Sequence, residues 1–287
     1  MMPRKRSARR GPSVFVIGAG KVGTALARAL RARGAEVTLR AARKGAPRGP
    51  LGVDLLVLAV RDGQLEELVD ALLTRRTVDR RTAVVHCAGA LGPEPLGPLR
   101  AVAAGVGQMH PMISFASPRH APTLTRGQVN VDGDPAAMKI AARVARLLGM
   151  TPRRLPTLDK VAYHAAAGLV ANGAAALAAA GTQLLERAGV DRRVAARMLG
   201  PLLRSVADNV EALGLPDALT GPVRRGDARG VERHLDVIES RSPDLVPLYR
   251  ALVRAQLPLA RQLADAPPPT FDAIEGVLDA RGGAKGD

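Results

Sequence analysis

The sequence has one cysteine, no tryptophan and only 2% aromatic residues among its 287 residues. A single cysteine, Cys87, excludes an internal disulfide, and no partner ligands accompany it at the spacing of a metal site. We therefore expect a cytoplasmic protein that holds no metal ion. Because aromatic residues are scarce, alanine, leucine and valine must build the cores, and alanine-rich helices suit a second, helical domain.

Acidic residues are also few: 26 Asp and Glu stand against 42 Lys and Arg, which gives a net charge of +16. Five of the cations lie in residues 4–10, ahead of any predicted element, and the others are dispersed without interleaved aromatic residues. Dispersed cations are typical of a solvated surface rather than of a nucleic-acid module. We expect no specific nucleic-acid partner.

Long hydrophobic runs are missing as well, apart from residues 162–185. This stretch contains Tyr163, His164, Asn172 and Gln183 and is otherwise mostly alanine and glycine, so it is too polar for a typical membrane span. It predicts a buried helix, and we expect no membrane partner.

What the sequence does contain is a glycine fingerprint. The apolar run 14–17 predicts a buried strand; Gly-x-Gly-x-x-Gly follows it, and apolar residues at helical spacing come next. In this motif the glycines permit a tight turn, a close approach of backbone to pyrophosphate, and helix packing on the strand. A glycine-rich turn without a ligand is the alternative. The pattern predicts a dinucleotide site at Gly18, Ala19, Gly20, Lys21, Val22 and Gly23.

The end of the second predicted strand, residues 35–39, indicates which dinucleotide binds. An NAD enzyme would carry Asp or Glu there for the ribose hydroxyl, whereas this chain has Arg40, with Arg43 and Lys44 close behind. Arginine grips phosphate through two parallel hydrogen bonds, so Arg40 and Arg43 favour NADP, with NAD left open. The alternative is that these arginines bind no ligand, because an arginine-rich chain has arginine wherever its surface is exposed.

Strands and helices alternate over the first half of the chain. Further strands are predicted at residues 53–60, 82–86, 105–109 and 129–131, and a last helix at 135–148. This alternation predicts a doubly wound parallel sheet, the α/β Rossmann fold. Ala59 and Val60, at the end of the third strand, are further candidates for cofactor contact.

After about residue 159 the strands cease, and alanine-rich helices run to the Pro267-Pro268-Pro269 breaker. The predicted organisation is a disordered basic tail (1–11), a dinucleotide-binding Rossmann domain (12–155), an all-helical substrate and dimerisation domain (156–280) and a disordered tail (281–287).

Two histidines end neighbouring strands, at the sheet edge where open α/β proteins bind ligands. His86 is a candidate for the nicotinamide pocket, with capping of its own loop as the alternative. His110 is a candidate ligand contact, with a structural turn before Pro111 as the alternative.

His164 is the strongest catalytic candidate. It lies four residues after Lys160 and eight before Asn172 on one predicted helix, and small residues beside it leave room for a cleft. Hydride transfer to a carbonyl requires a proton donor and dipoles that favour the developing alkoxide, and His with Asn supplies both. We predict catalytic roles for His164, Asn172 and His110; the alternative is a His and an Asn satisfied within a helix contact.

A loop rich in Gly, Pro and charge, residues 217–227, interrupts the helices. Arg225 is a candidate to grip a substrate carboxylate through two hydrogen bonds, with Asp227 orienting it. The alternative is that Asp227 caps the next helix and pairs with Arg225 at the surface. The substrate-binding candidates are Asn209, Thr220, Arg225 and Asp227.

Together these motifs resemble a known family over residues 13–252. They are the fingerprint, His86-Cys87-Ala88-Gly89-Ala90, His110-Pro111 with Phe115, Tyr163-His164-Ala165-Ala166 with Asn172, and Leu219-Thr220-Gly221-Pro222 with Arg225-Gly226-Asp227. The chain resembles the Rossmann-like family whose C-terminal half is domain of unknown function 2520. Ala88 departs from it, since the family commonly has Ser there.

More distantly, the chain is similar to the superfamily of 6-phosphogluconate dehydrogenase, pyrroline-5-carboxylate reductase and ketopantoate reductase. The resemblance implies an NAD(P) oxidoreductase with substrate between two domains, often a homodimer through the helical domain. With the cation cluster, it predicts an NADP-dependent reductase of a small oxo acid or imine, such as a ketopantoate-like compound. The alternative is a non-catalytic NADP(H) sensor or interaction protein.

Overall fold

The computed structural model describes residues 11–280, so the two predicted tails fall outside the described residues except for Gly11. The described residues form two compact units, the first ending at Leu169 and the second beginning at Val170.

The first unit confirms the predicted Rossmann architecture. Its elements are β1 (Ser13–Ile17), α1 (Lys21–Arg31), β2 (Glu36–Arg40), β3 (Leu55–Leu58), α2 (Leu65–Thr74), β4 (Ala83–His86), β5 (Gly105–Pro111), β6 (Gln128–Gly133), α3 (Pro135–Leu147) and β7 (Thr151–Arg153). The strand order is β2-β1-β3-β4-β5-β6-β7. β2 lies on one side of β1 and β3 on the other, so the strand order reverses between β1 and β3. The carboxyl ends of these two strands form the switch point where such sheets bind ligands.

Both faces of the sheet are covered, which explains the apolar strands. Val14 and Val16 pack with α1 and α3 on one face, whereas Phe15 and Ile17 pack with α2 on the other. Alternate side chains of a strand point to opposite faces, so a strand buried on both sides contains no polar alternation.

Two details of the sheet differ from the prediction. β6 is antiparallel to β5, whereas a wholly parallel sheet was expected. Residues 112–127, which join the two strands, contain no helix, and a parallel pair would need such a crossover. The short β7 was not predicted; its Pro152 is tolerated because the strand lies at the sheet edge.

The second half of the chain is helical, as predicted. Its elements are α4 (Lys160–Arg187), which continues across the division between the units, α5 (Arg192–Leu213), α6 (Ala228–Arg241), α7 (Val246–Leu263) and α8 (Pro268–Ala280). The last helix, α8, begins at the Pro267-Pro268-Pro269 breaker and lies within the helical region predicted for residues 156–280. Proline has no backbone N–H, and the N–H groups of the first helical turn make no hydrogen bond within the helix. Proline is therefore tolerated there, and α8 begins at Pro268. Phe271, Ile274 and Leu278 of α8 complete the core shared with α6 and α7.

The prediction that residues 162–185 form a buried helix was also wrong. Within α4 Thr182 is the one buried residue, while Leu169 is 79% exposed and Val170 is 72% exposed. Among the described residues, α4 is the one helix whose length and composition would let it span a membrane. Its alanine and glycine side chains have little apolar area to bury against the chain's own core.

Candidate active site

The glycine turn between β1 and α1 is shaped by close backbone packing. Gly18 has a φ of +118°, and a Cβ there would overlap the carbonyl oxygen of Ala59 at the end of β3. A Cβ on Gly23 would overlap the carbonyl oxygen of Gly18. Gly20 is different, because a Cβ there would meet nothing within 4 Å. Positions 18 and 23 therefore need glycine for folding, and position 20 faces open space.

The same turn presents unpaired donors. The first hydrogen bond inside α1 runs from the Thr24 N–H to the Gly20 carbonyl oxygen at 3.0 Å. The N–H groups of residues 21–23 precede it and have no acceptor within the helix. With the helix dipole, an open Gly20 and the exposed Lys21, this cradle fits an anionic pyrophosphate.

Arg40 holds the loop that follows β2. Its Nε donates to the Gly45 carbonyl oxygen at 2.8 Å and its Nη2 to that of Lys44 at 2.7 Å. Arg43, in the 3-10 turn Ala42–Lys44, is exposed. The guanidinium of Arg40 thus shapes this turn, and the turn presents the charge of Arg43 to solvent.

A cavity of about 330 Å³ lies at the carboxyl ends of the strands. It brings together the start of α1, the ends of β3, β4 and β5, and the first turns of α4. Its lining residues are Val22, Ala59, Val60, Asp62, Cys87, Ala88, Gly89, His110, Pro111, Ile113, Phe115 and His164. The glycine turn and two of the three candidate histidines therefore share one cavity, all within the first unit.

His110 and His164 face each other beside Gly89. Their ring centroids lie 5.9 Å apart at an interplanar angle of 75°. A Cβ on Gly89 would lie 2.8 Å from His110 Nε2 and closer still to His164 Nδ1, so both nitrogens lie next to the space that a side chain at position 89 would fill. Only a glycine leaves that space free.

His110 is uncharged at neutral pH. Burial lowers its pKa to about 4, and the nearby positive charge of Lys160 acts in the same direction. Its Nδ1 lies 3.1 Å from the Tyr163 hydroxyl, a contact that the sequence did not predict.

His86 is fully buried, and its ring caps the loop that follows β4. Nε2 lies 2.6 Å from the Gly92 carbonyl oxygen, and Nδ1 accepts a hydrogen bond from the Ala88 N–H at 3.1 Å. Burial lowers the pKa of His86, so both contacts are those of a neutral ring. This is the loop-capping alternative, and His86 is not among the residues that line the cavity.

A buried polar network that the sequence did not predict holds the loop after β4, which lines the cavity. The Gln108 side-chain nitrogen donates to the carbonyl oxygens of Ala88 at 2.6 Å and Leu91 at 2.5 Å. Its oxygen accepts from Asn130 at 2.8 Å and from Lys160 Nζ at 3.0 Å. The only signal in the sequence was the presence of Gln and Asn inside apolar strands.

Lys160 anchors the beginning of α4 to this network. Its Nζ lies 2.7 Å from an Asp132 carboxylate oxygen, and the lysine side chain is 14% exposed. The ion pair holds the first turn of α4 on the sheet, and His164 lies on the next turn of the same helix. Cys87 contributes a neutral thiol to the cavity, because burial raises its pKa to about 12.

The remaining candidates belong to the second unit. Asn172 is exposed on α4, about 12 Å along the helix axis from His164. Asp227 accepts a hydrogen bond from the Gly230 N–H at 2.8 Å and so caps α6, which is the alternative that the sequence left open. Arg225 and Thr220 are exposed, and Asn209 is half-buried.

Arg224 maintains the loop 217–227, which contains Thr220, Arg225 and Asp227, although the sequence did not single Arg224 out. Its Nη1 donates to the carbonyl oxygens of Asp217 at 2.9 Å and Leu219 at 2.8 Å, and its Nε lies 2.6 Å from Asp265. Across residues 11–280, no group of three or more His, Cys, Asp or Glu side chains is placed to hold a metal ion.

Two family models match the chain in order. The Rossmann-like domain matches residues 3–111, and Domain of unknown function (DUF2520) matches residues 128–256. No curated protein sequence matches.

Solved structures show the same fold at low identity. A candidate NADP oxidoreductase from Bacteroides fragilis is 20% identical, with a TM-score of 0.67 over 87% of this chain and 99% of that one. A Thermotoga maritima protein is 22% identical, with a TM-score of 0.62 over 87% and 98%. A pyrroline-5-carboxylate reductase from Coxiella burnetii is 16% identical, with a TM-score of 0.55 over 88% and 98%.

The low pKa of His110 makes the stability of the protein depend on pH. The unfolded chain takes up a proton on this histidine below about pH 6.5, whereas the folded protein resists it down to about pH 4. The neutral ring therefore makes its full contribution to the free energy of unfolding above about pH 6.5, and this contribution is lost as the pH falls towards 4. We expect the wild type to lose more free energy of unfolding over this range than His110→Gln, measured by urea denaturation.

The exposed His234, changed to Gln, is the control and should follow the wild type. Parallel curves for the wild type and His110→Gln would show that the His110 ring is not held neutral by the fold.

Proposed function

Because the chain joins a Rossmann-like domain to the domain of unknown function 2520, we propose that it is an NADP-dependent oxidoreductase that reduces a small oxo acid or imine. The observation that carries this proposal is the shared cavity, in which His110 and His164 face the space next to the glycine turn. The names of two structures with the same fold, a candidate NADP oxidoreductase and a pyrroline-5-carboxylate reductase, support the same reaction class.

The cofactor would be held by this chain's own glycine turn. The free N–H groups at the start of α1 would bind the pyrophosphate, and Arg43 and Arg40 would bind the 2′-phosphate. Ala59 and Val60, which line the cavity, would contact the cofactor there. Bound NADPH supplies the hydride. A cytoplasmic location remains part of the proposal, since it rests on the absence of a disulfide pair.

One histidine of this chain supplies the proton. Hydride addition to a carbonyl or imine carbon leaves negative charge on the oxygen or nitrogen, and that charge must be neutralised. His164 also lines the cavity, with Nδ1 next to Gly89, and we assign the proton donation to this nitrogen. Asn172 remains a proposed second catalytic group, and Asn209, Thr220, Arg225 and Asp227 remain proposed contacts for the substrate.

The first test concerns the glycine turn. Gly20→Val should abolish NADPH binding, because a branched side chain would fill the open face where pyrophosphate approaches, while the melting temperature stays near that of the wild type. Gly18→Ala is the matched contrast and should lower the melting temperature, since its Cβ overlaps Ala59. Fluorescence titration and thermal unfolding measure both. Unchanged NADPH affinity in Gly20→Val would refute the phosphate site.

The second test concerns cofactor preference. Arg43→Glu should weaken NADPH binding by about tenfold to a hundredfold, because it replaces a cation with an anion near the 2′-phosphate, and should leave NADH binding nearly unchanged. The side chain is exposed, so folding should be unaffected. Arg233→Glu, an exposed charge reversal on α6, is the control. An equal loss for both cofactors would place Arg43 away from the ribose.

The third test concerns the proton donor and the substrate. NADPH oxidation is screened against small oxo acids, ketopantoate among them, and cyclic imines. On the best substrate, His164→Ala should lower kcat by about 10²–10⁴-fold and leave NADPH affinity intact. His120→Ala, in an exposed loop, is the control. NADPH binding with no oxidation of any compound would favour the sensor alternative, and wild-type turnover in a folded His164→Ala would exclude the catalytic role.

A second copy of this chain is the proposed partner for the apolar surface of α5. Its members recur about every four residues and are 41–59% exposed: Val194, Met198, Leu202, Val206, Val210 and Leu213. An apolar stripe of this length is unusual on a monomer, and a two-fold axis would let it pack on itself.

Light scattering should therefore give twice the chain mass of 29.9 kDa, and Leu202→Glu should give the monomer. Val237→Glu, at an exposed apolar position of α6, should remain dimeric. A monomeric wild type would contradict the proposal, and binding to lipid vesicles instead would favour a membrane surface.

A further inference from the structure

The proposed reaction leaves Tyr163 without a role, although it touches one of the two cavity histidines. The hydroxyl of Tyr163, on α4, lies 3.1 Å from His110 Nδ1, on β5. The two rings meet edge to face, with centroids 5.4 Å apart and an interplanar angle of 79°. Burial raises the pKa of Tyr163, so the hydroxyl keeps its proton and is able to donate it in a hydrogen bond.

The neutral His110 ring carries a single proton, on one of its two nitrogens. If Nδ1 accepts the hydrogen bond of Tyr163, the proton must lie on Nε2. The opposite tautomer would direct an N–H at the phenol oxygen, which is the weaker acceptor, and would leave a lone pair facing the cavity. The phenol is the more acidic partner and imidazole the more basic one, so the O–H···N arrangement is favoured.

The other nitrogen of His110 lies at the cavity. His110 Nε2 and His164 Nδ1 are both close to Gly89, and the three residues line the same cavity. An acceptor atom there would receive a hydrogen bond from one ring and a proton from the other.

We propose that Tyr163 is a positioning residue that fixes His110 in the tautomer with its proton on Nε2, so that the neutral ring donates a hydrogen bond to the carbonyl oxygen or imine nitrogen of the substrate. This inference rests on the proposed reductase function. The hydride enters the carbon, the C=O or C=N π electrons move to the heteroatom, and His164 Nδ1 delivers the proton to that atom. His110 keeps its own proton and stabilises the developing charge.

The tautomer is measured directly, without any substrate, by the imidazole ¹⁵N resonances of labelled protein near neutral pH. The His110 signals are those missing from His110→Gln. In the wild type, Nε2 should resonate as a protonated nitrogen and Nδ1 as an unprotonated one; in Tyr163→Phe both should move towards averaged positions. A proton on Nδ1 in the wild type, or an unchanged spectrum in Tyr163→Phe, would overturn the proposal.

The chain contains a matched control, since it has two tyrosines. Tyr249 makes the same kind of contact with His234 Nδ1, at 2.9 Å and with ring centroids 6.0 Å apart, in the second unit. Tyr249→Phe removes an equivalent hydroxyl elsewhere and should leave the His110 resonances and the NADPH oxidation rate unchanged. Movement of the His110 signals in both variants to the same degree would indicate a general loosening of the protein and overturn the proposal.

Kinetics test the catalytic consequence. Tyr163→Phe should lower kcat by about tenfold or more with KM and NADPH affinity near the wild-type values, because the lost preorganisation matters in the transition state. A full kcat in Tyr163→Phe would refute the role of the tautomer in catalysis. Failure of the wild type to oxidise NADPH with any substrate would instead remove the proposed function, and the ¹⁵N spectrum would still decide whether Tyr163 fixes the His110 ring.

Discussion

The cavity depends on one buried side chain, the amide of Gln108. Its nitrogen holds two carbonyl groups of the loop after β4, and its oxygen receives Asn130 and Lys160, so a single residue ties that loop to β6 and to the start of α4. A buried amide left without its partners would cost about 1–3 kcal/mol per group, which makes partial arrangements unfavourable. Gly89 and His164 are both placed through this amide, the first by the loop and the second by the lysine.

The two histidines in the cavity have contrasting environments, which suits the two roles that we propose for them. His110 lies on the central sheet, where burial and nearby positive charge oppose a second proton, whereas His164 lies on the exposed side of α4. This difference in environment comes from the strand and the helix that carry the two histidines rather than from the residues next to them in sequence. Pairs of titratable groups with contrasting environments are a common basis for dividing acid and donor roles within a site.

The sequence predicted those parts of the molecule that local pattern decides: the alternation of strands and helices, the glycine turn, and the strand and the helix that carry His110 and His164. It failed where long-range packing decides. The direction of β6 depends on the absence of a crossover helix between β5 and β6. The exposure of α4 depends on which other elements pack against it. Lys160 pairs with Asp132, 28 positions earlier, and Arg224 with Asp265, 41 positions later, and no spacing rule indicates either contact.

The three fingerprint glycines are subject to different kinds of selection. A side chain at position 18 or 23 would overlap backbone atoms, so any lineage that keeps the fold must keep glycine there whether or not it keeps a ligand. Position 20 has no such neighbour, and folding alone exerts no pressure on it. The residue at position 20 in a related chain therefore indicates whether that chain still binds the ligand. A chain that had lost the activity would be free to change this glycine first.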